Sequence, residues 1–152
     1  DQFAWLFIPT VSGLFLGSLA ANRMAGKATF GRQVALGFCF MLSAAGANVL
    51  YHVFMPPAVP WSVAPMFFYT FGSSLMAPAV TLLALDMFPH IRGTVASCQS
   101  FAVTLLGALV AGVIAPFLSH SVLWIASGQL AFAVFSLALW AASRRYRRRR
   151  PA

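Results

Sequence analysis

Five long apolar stretches run the length of the chain, separated by short breaks that collect its polar and charged residues. They cover about residues 3–21, 33–54, 61–85, 93–118 and 122–143. A bilayer core of about 30 Å takes roughly 20 helical residues, and a strand there would leave backbone groups unpaired. Each stretch meets that length. The pattern therefore predicts an all-α chain, a polytopic transmembrane bundle of about five helices forming one domain over residues 1–152.

The breaks set the orientation. Residues 22–32 hold Arg23, Lys27, Arg32 and Gly26, and residues 55–60 hold Pro56, Pro57 and Pro60 with no charge. Residues 86–92 hold Asp86, Pro89, His90 and Arg92, and residues 119–121 are uncharged. Assigned to alternate sides, all ten Lys and Arg fall on one side and none on the other. Cytoplasmic loops are the ones that gather Lys and Arg. The N-terminus is thus expected outside and the C-terminus inside, with residues 144–152 as a basic cytoplasmic tail.

Composition agrees with lipid as the solvent. The 152 residues are 61% hydrophobic and 8% charged, against roughly 25% charged in a soluble domain. Asp1 and Asp86 are the only carboxylates, and the net charge of +8 comes mostly from Arg144, Arg145 and Arg147 to Arg150. Nucleic-acid binders spread their Lys and Arg over a water-soluble face. Arginines directly behind an apolar span instead suit anionic lipid headgroups, so nucleic acid is not an expected partner. The chain opens without Met and without a charged leader region, so its first run is read as a span and not a signal peptide, and the chain as part of a longer protein.

Helices in lipid associate through small residues that let backbones approach. Such faces occur at Pro9, Gly13, Gly17 and Ala21, at Thr70, Ser74, Ala77 and Thr81, and at Gly93, Ser97, Ser100, Thr104, Gly107 and Ala111. A channel-lining face has the same appearance, and packing is the simpler reading. Pro9, Pro65, Pro78 and Pro116 interrupt three of the spans and predict bends. Trp61 and Trp124 fall at expected outer ends and Trp140 near an inner end, the depths that aromatic rings favour. Cys39 and Cys98 lie in apolar runs and read as buried, reduced thiols.

No ionisable residue falls near midplane, where proton relays and ion sites usually place one. What lies there is neutral: Ser12, Tyr69, Ser73, Met76, Gln99 and Phe101. Aromatic and Met side chains with a few hydroxyls suit an adaptable site for apolar small molecules, and they are also ordinary core residues. No nucleophile–base pair, phosphate loop or metal spacing is present, and His52, His90 and His120 fall at helix ends or in loops. An enzyme and a bound cofactor are not expected.

The run Leu85-Asp86-Met87-Phe88-Pro89-His90-Ile91-Arg92-Gly93-Thr94-Val95-Ala96-Ser97 resembles the junction between the tenth and eleventh helices of major facilitator superfamily transporters. It is most similar to the Bcr/CflA branch of drug:proton antiporters. The segment Gly17-Ser18-Leu19-Ala20-Ala21-Asn22-Arg23-Met24-Ala25-Gly26-Lys27 is similar to the degenerate copy of that superfamily's loop motif between the eighth and ninth helices. Where the motif has Asp this chain has Ala21 or Asn22, which weakens or moves the loop's gating charge.

The resemblance covers nearly the whole chain as the eighth to twelfth helices, a partial major facilitator fold. It implies the C-terminal portion of a multidrug or small-molecule efflux transporter of the bacterial inner membrane. The missing N-terminal helices would be partners and would carry the proton-coupling carboxylates. It further implies that the first, third and fourth helices line a central cavity, with Ser12, Tyr69, Ser73, Met76, Gln99 and Phe101 as substrate contacts. Independently of the resemblance, Asp86 and Arg92 each sit at the helix end that disfavours their charge, so Asp86 is expected to pair with Arg92, or with Arg23 or Arg32, as a cytoplasmic gate. The rival reading is a non-transporting membrane scaffold or assembly subunit whose polybasic tail binds lipid.

Overall fold

A computed structural model of the chain describes residues 2–55, 64–118 and 121–149, and every regular element among them is helical. Helix α1 is Gln2–Met24, α2 is Phe30–Phe54 and α3 is Ala64–Met87. Helix α4 begins as Arg92–Leu109, passes through a π-helical turn at Val110–Ile114 and ends in Ala115–Leu118. Helix α5 is Val122–Arg149. The five expected stretches are thus five helices. Four segments, Phe30–Phe54, Ala64–Met87, Arg92–Phe117 and Val122–Arg145, are long and apolar enough to cross a bilayer. The chain has the build of a multi-pass membrane protein. Trp61 and His120 lie outside the described residues.

Local chemistry sets the element ends. Between α1 and α2 the chain reverses through Gly26 at φ +75°, a conformation that costs a residue with a Cβ but not glycine. The Lys27 and Ala28 N–H groups donate to the Met24 carbonyl, and extended Thr29 then opens α2 by accepting from Arg32 and Gln33. In α4 the π turn directly precedes Pro116. Proline has no N–H and its ring crowds the carbonyl four residues back. The ladder slips there by one position, with the Ala115 N–H donating to the Val110 carbonyl.

Helix α3 is the centre of the packing, flanked by α1 and α2. On the α1 side the stripe of Gly13 and Gly17 meets α3 backbone to backbone. A Cβ added at Gly17 would lie 2.5 Å from the Phe71 carbonyl oxygen, and one at Gly13 would collide with Thr70 Oγ1. On the α2 side Gly37 and Gly72 face each other, each leaving room for the other's carbonyl at 2.6–2.8 Å from a hypothetical Cβ. Around that crossing Val34, Phe38 and Ala79 are buried, with Met76, Leu137 and Trp140 packed against them. Helix α5 lies behind α2, joined by the Phe38–Trp140 ring contact at 5.8 Å and by Asn48 Nδ2 donating to Gln129 Oε1 at 3.4 Å.

Two expectations change. Cys39 and Cys98 are free and face out of the bundle instead of being buried. In lipid an outward face is as apolar as a core, so a thiol gains nothing by turning inward. The basic tail, expected to begin at residue 144, continues α5 as helix to Arg149. Arginine is a good helix former, and cations at a helix C-terminus complement the macrodipole.

Candidate functional site

The six neutral residues picked from the sequence do not converge. In α1 the half-buried Ser12 returns its Oγ–H to the Pro9 carbonyl at 3.0 Å, and in α3 Ser73 does the same to Thr70 at 3.0 Å. Both hydroxyls are thereby satisfied within their own helices. Met76 packs on the α2 crossing, where its Cβ lies 2.7 Å from the position of a hypothetical Cβ on Gly37. Tyr69 is half-buried one turn before Ser73. Gln99 donates from Nε2 to Thr81 Oγ1 at 2.9 Å, tying α4 to α3, and its Oε1 is buried without a partner. Phe101, two residues on and so about 200° round the helix, is 68% exposed on the opposite face. Gln99 and Thr81 line a cleft of about 320 Å³ with Ser100 and Thr104.

At the end of the bundle where the basic residues gather, Arg92 and Asp86 form an ion pair at 3.2 Å, both side chains more than half exposed. The pair closes the turn between α3 and α4 and does not reach across to α1 or α2. Arg23 and Arg32 are exposed. Asp86 is the only acid among the described residues, and it is held by Arg92. Arg144 sits over the Trp140 ring at 4.8 Å and close to Gly31 at the start of α2, which brings the ends of α2 and α5 together.

Sequence reasoning passed over two buried amides, Gln33 and Asn48. Gln33 is 3% exposed and donates from Nε2 to the Leu75 carbonyl at 2.9 Å, three residues before Pro78. Proline in mid-helix weakens the local backbone ladder, and beside it Gln33 adds a donor from α2 to the Leu75 carbonyl. From the other side Ser74 Oγ–H donates to the Leu14 carbonyl of α1 at 2.8 Å. The part of α3 just before Pro78 is therefore tied to both neighbours. Asn48, 8% exposed, joins α2 to α5 and keeps an unpartnered Oδ1. The readable signal was an amide inside an otherwise apolar run.

The same region contains a cavity between the inner faces. About 490 Å³ lies between α1, α2 and α3 at their basic ends. Its polar wall is Ser18, Asn22 and Gln33, and its apolar wall includes Phe15, Phe30 and Leu82.

Comparison with protein-family models, with curated proteins and with solved structures finds no match in any of the three.

Proposed function

We propose that this chain is the C-terminal portion of a small-molecule efflux transporter of the bacterial inner membrane. It works by alternating access between two halves and is coupled to protons through helices other than these five. The observation that carries the reading is α4. This helix has no buried residue from Arg92 to Phe117. On its small stripe Gly93 and Gly107 have open space where a Cβ would stand. Ser97, Ser100 and Thr104 line that face, and unlike Ser12, Thr70 and Ser73 they make no hydrogen bond back to their own helix. Hydroxyls and glycines spaced for close approach are features of a helix that packs on another helix. The run from Leu85 to Ser97 supplies the family resemblance.

The test is transport by the longer protein that the reading requires. Proteoliposomes holding this chain together with the product of the coding sequence upstream of Asp1 are expected to exchange a lipophilic drug for protons. The chain alone is expected to be silent, since the one carboxylate in a described span, Asp86, sits at the very end of α3 and is paired with Arg92. Proton-coupled flux by the chain alone would overturn the reading, as would an upstream sequence that encodes no further helices.

A further inference from the structure

We propose that the cavity between α1, α2 and α3 is a binding site for an anionic amphiphile: an acyl chain ending in a carboxylate or a phosphate. The inference stands on the cavity and its charges and does not depend on the transport reading. At about 490 Å³ the space is of the size that holds small ligands.

Its walls are divided by chemistry. Phe15, Leu19, Phe30 and Leu82 give an apolar side, while Ser18, Asn22 and Gln33 give hydrogen-bonding groups. Phe15 and Leu82 are themselves exposed at 68% and 44%, so the apolar side opens laterally onto the surface that lipid covers. A chain can enter from there without crossing water.

The choice of an anion follows from the surrounding charges. Arg23 follows Asn22, Arg32 precedes Gln33, and Lys27 lies in the turn that joins the two helices. All three are exposed, and the only described acid is paired with Arg92. Residues of the cavity's polar wall thus adjoin three exposed cations that no carboxylate among the described residues neutralises, near a low-dielectric medium that strengthens their field. A cationic headgroup is repelled there and a neutral one gains only hydrogen bonds.

Photo-crosslinking tests this on the purified chain in phosphatidylcholine nanodiscs, with a diazirine-bearing C18 fatty acid as probe and its alcohol as the neutral control. Adducts are expected between residues 15 and 33 and at residues 78–82, with the alcohol labelling at least fivefold less. Competition by oleate against phosphatidylglycerol tells a free fatty acid from a phospholipid, and either supports the site. Ser18→Phe, at an exposed position that fills the cavity, is expected to cut fatty-acid labelling at least fivefold. The double variant Arg23→Gln, Lys27→Gln should bring the acid down to the level of the alcohol and leave the alcohol unchanged. Circular dichroism checks that each variant keeps its helices. Equal labelling by acid and alcohol, adducts spread over every outward helix face, or no response to Ser18→Phe would each overturn the proposal.

Discussion

At the scale of single residues, the close approaches in the bundle rest on glycine, and the tie between α2 and α3 beside Pro78 rests on a glutamine. Gly72 has no space for a side chain against Gly37 and Phe40. Gly72→Leu is therefore expected to cost about 1–3 kcal/mol by overpacking, read from reversible unfolding in mixed micelles. Gly107, with nothing within 4 Å, is the control. Gly107→Leu in this chain should be neutral or slightly stabilising, because Leu is the better helix former. Equal losses at both positions would mean that the α2–α3 crossing is not where the backbones meet. Gln33→Leu leaves the Leu75 carbonyl near Pro78 without its donor, a loss of about 1 kcal/mol for a hydrogen bond between membrane helices. Asp86→Asn, by contrast, removes an exposed ion pair worth about 0–1 kcal/mol, so its effect on unfolding should stay at the low end. The α1 stripe was legible because Gly13 and Gly17 repeat every four residues. Gly37 and Gly72 were not, because neither has a second glycine four residues away and each acquires meaning only from the other.

At the scale of helices, the apolar lengths and their breaks carried most of the information. All five stretches became helices, and the largest differences in their ends have local causes in the Gly26 turn and the arginines that prolong α5. Hydropathy has no term for which helix touches which, and so it left the packing order open. The stripe on α1 and the stripe on α4 look alike in sequence, yet the glycines of one are in backbone contact with α3 and those of the other have nothing within 4 Å. Nor did membrane depth alone gather the candidate substrate contacts, since depth fixes height along a helix but not azimuth. Gln99 turns toward Thr81 while Phe101 turns away. If the longer protein places another helix on α4, a nitroxide at Ser100 will distinguish the two settings. In this chain alone, labels at Ser100 and Phe101 should show similar collision rates with lipid-dissolved oxygen. In the longer protein the Ser100 label should lose most of that access, to a degree that the Phe101 label does not match. Unchanged access at Ser100 would leave the α4 stripe facing lipid and remove the main support for a larger bundle.

At the scale of the whole molecule, the separation of charge is the dominant feature. Ten cations lie at one end by the count of breaks, and the structure brings the ends of α2 and α5 together there through Arg144 beside Gly31. The far end carries Ser121 and no Lys or Arg in the described residues. Such an asymmetry orients a membrane protein because positively charged loops stay in the cytoplasm. The expected topology has the α1–α2 turn inside and the α4–α5 turn outside. In a background with Cys39 and Cys98 replaced by alanine, Lys27→Cys should resist a membrane-impermeant maleimide in intact cells, and Ser121→Cys should react. The six tail arginines are most of the count, which separates two roles for them. If they only hold anionic lipid, changing all six to glutamine leaves Arg23, Lys27, Arg32 and Arg92 against none, and the labelling pattern should persist. Changing those four as well removes the bias and should yield a mixed population. Reactive Lys27→Cys in the otherwise unaltered chain would show that the charge count points the wrong way. Inversion on loss of the tail alone would instead make the arginines of α5 the determinant of topology.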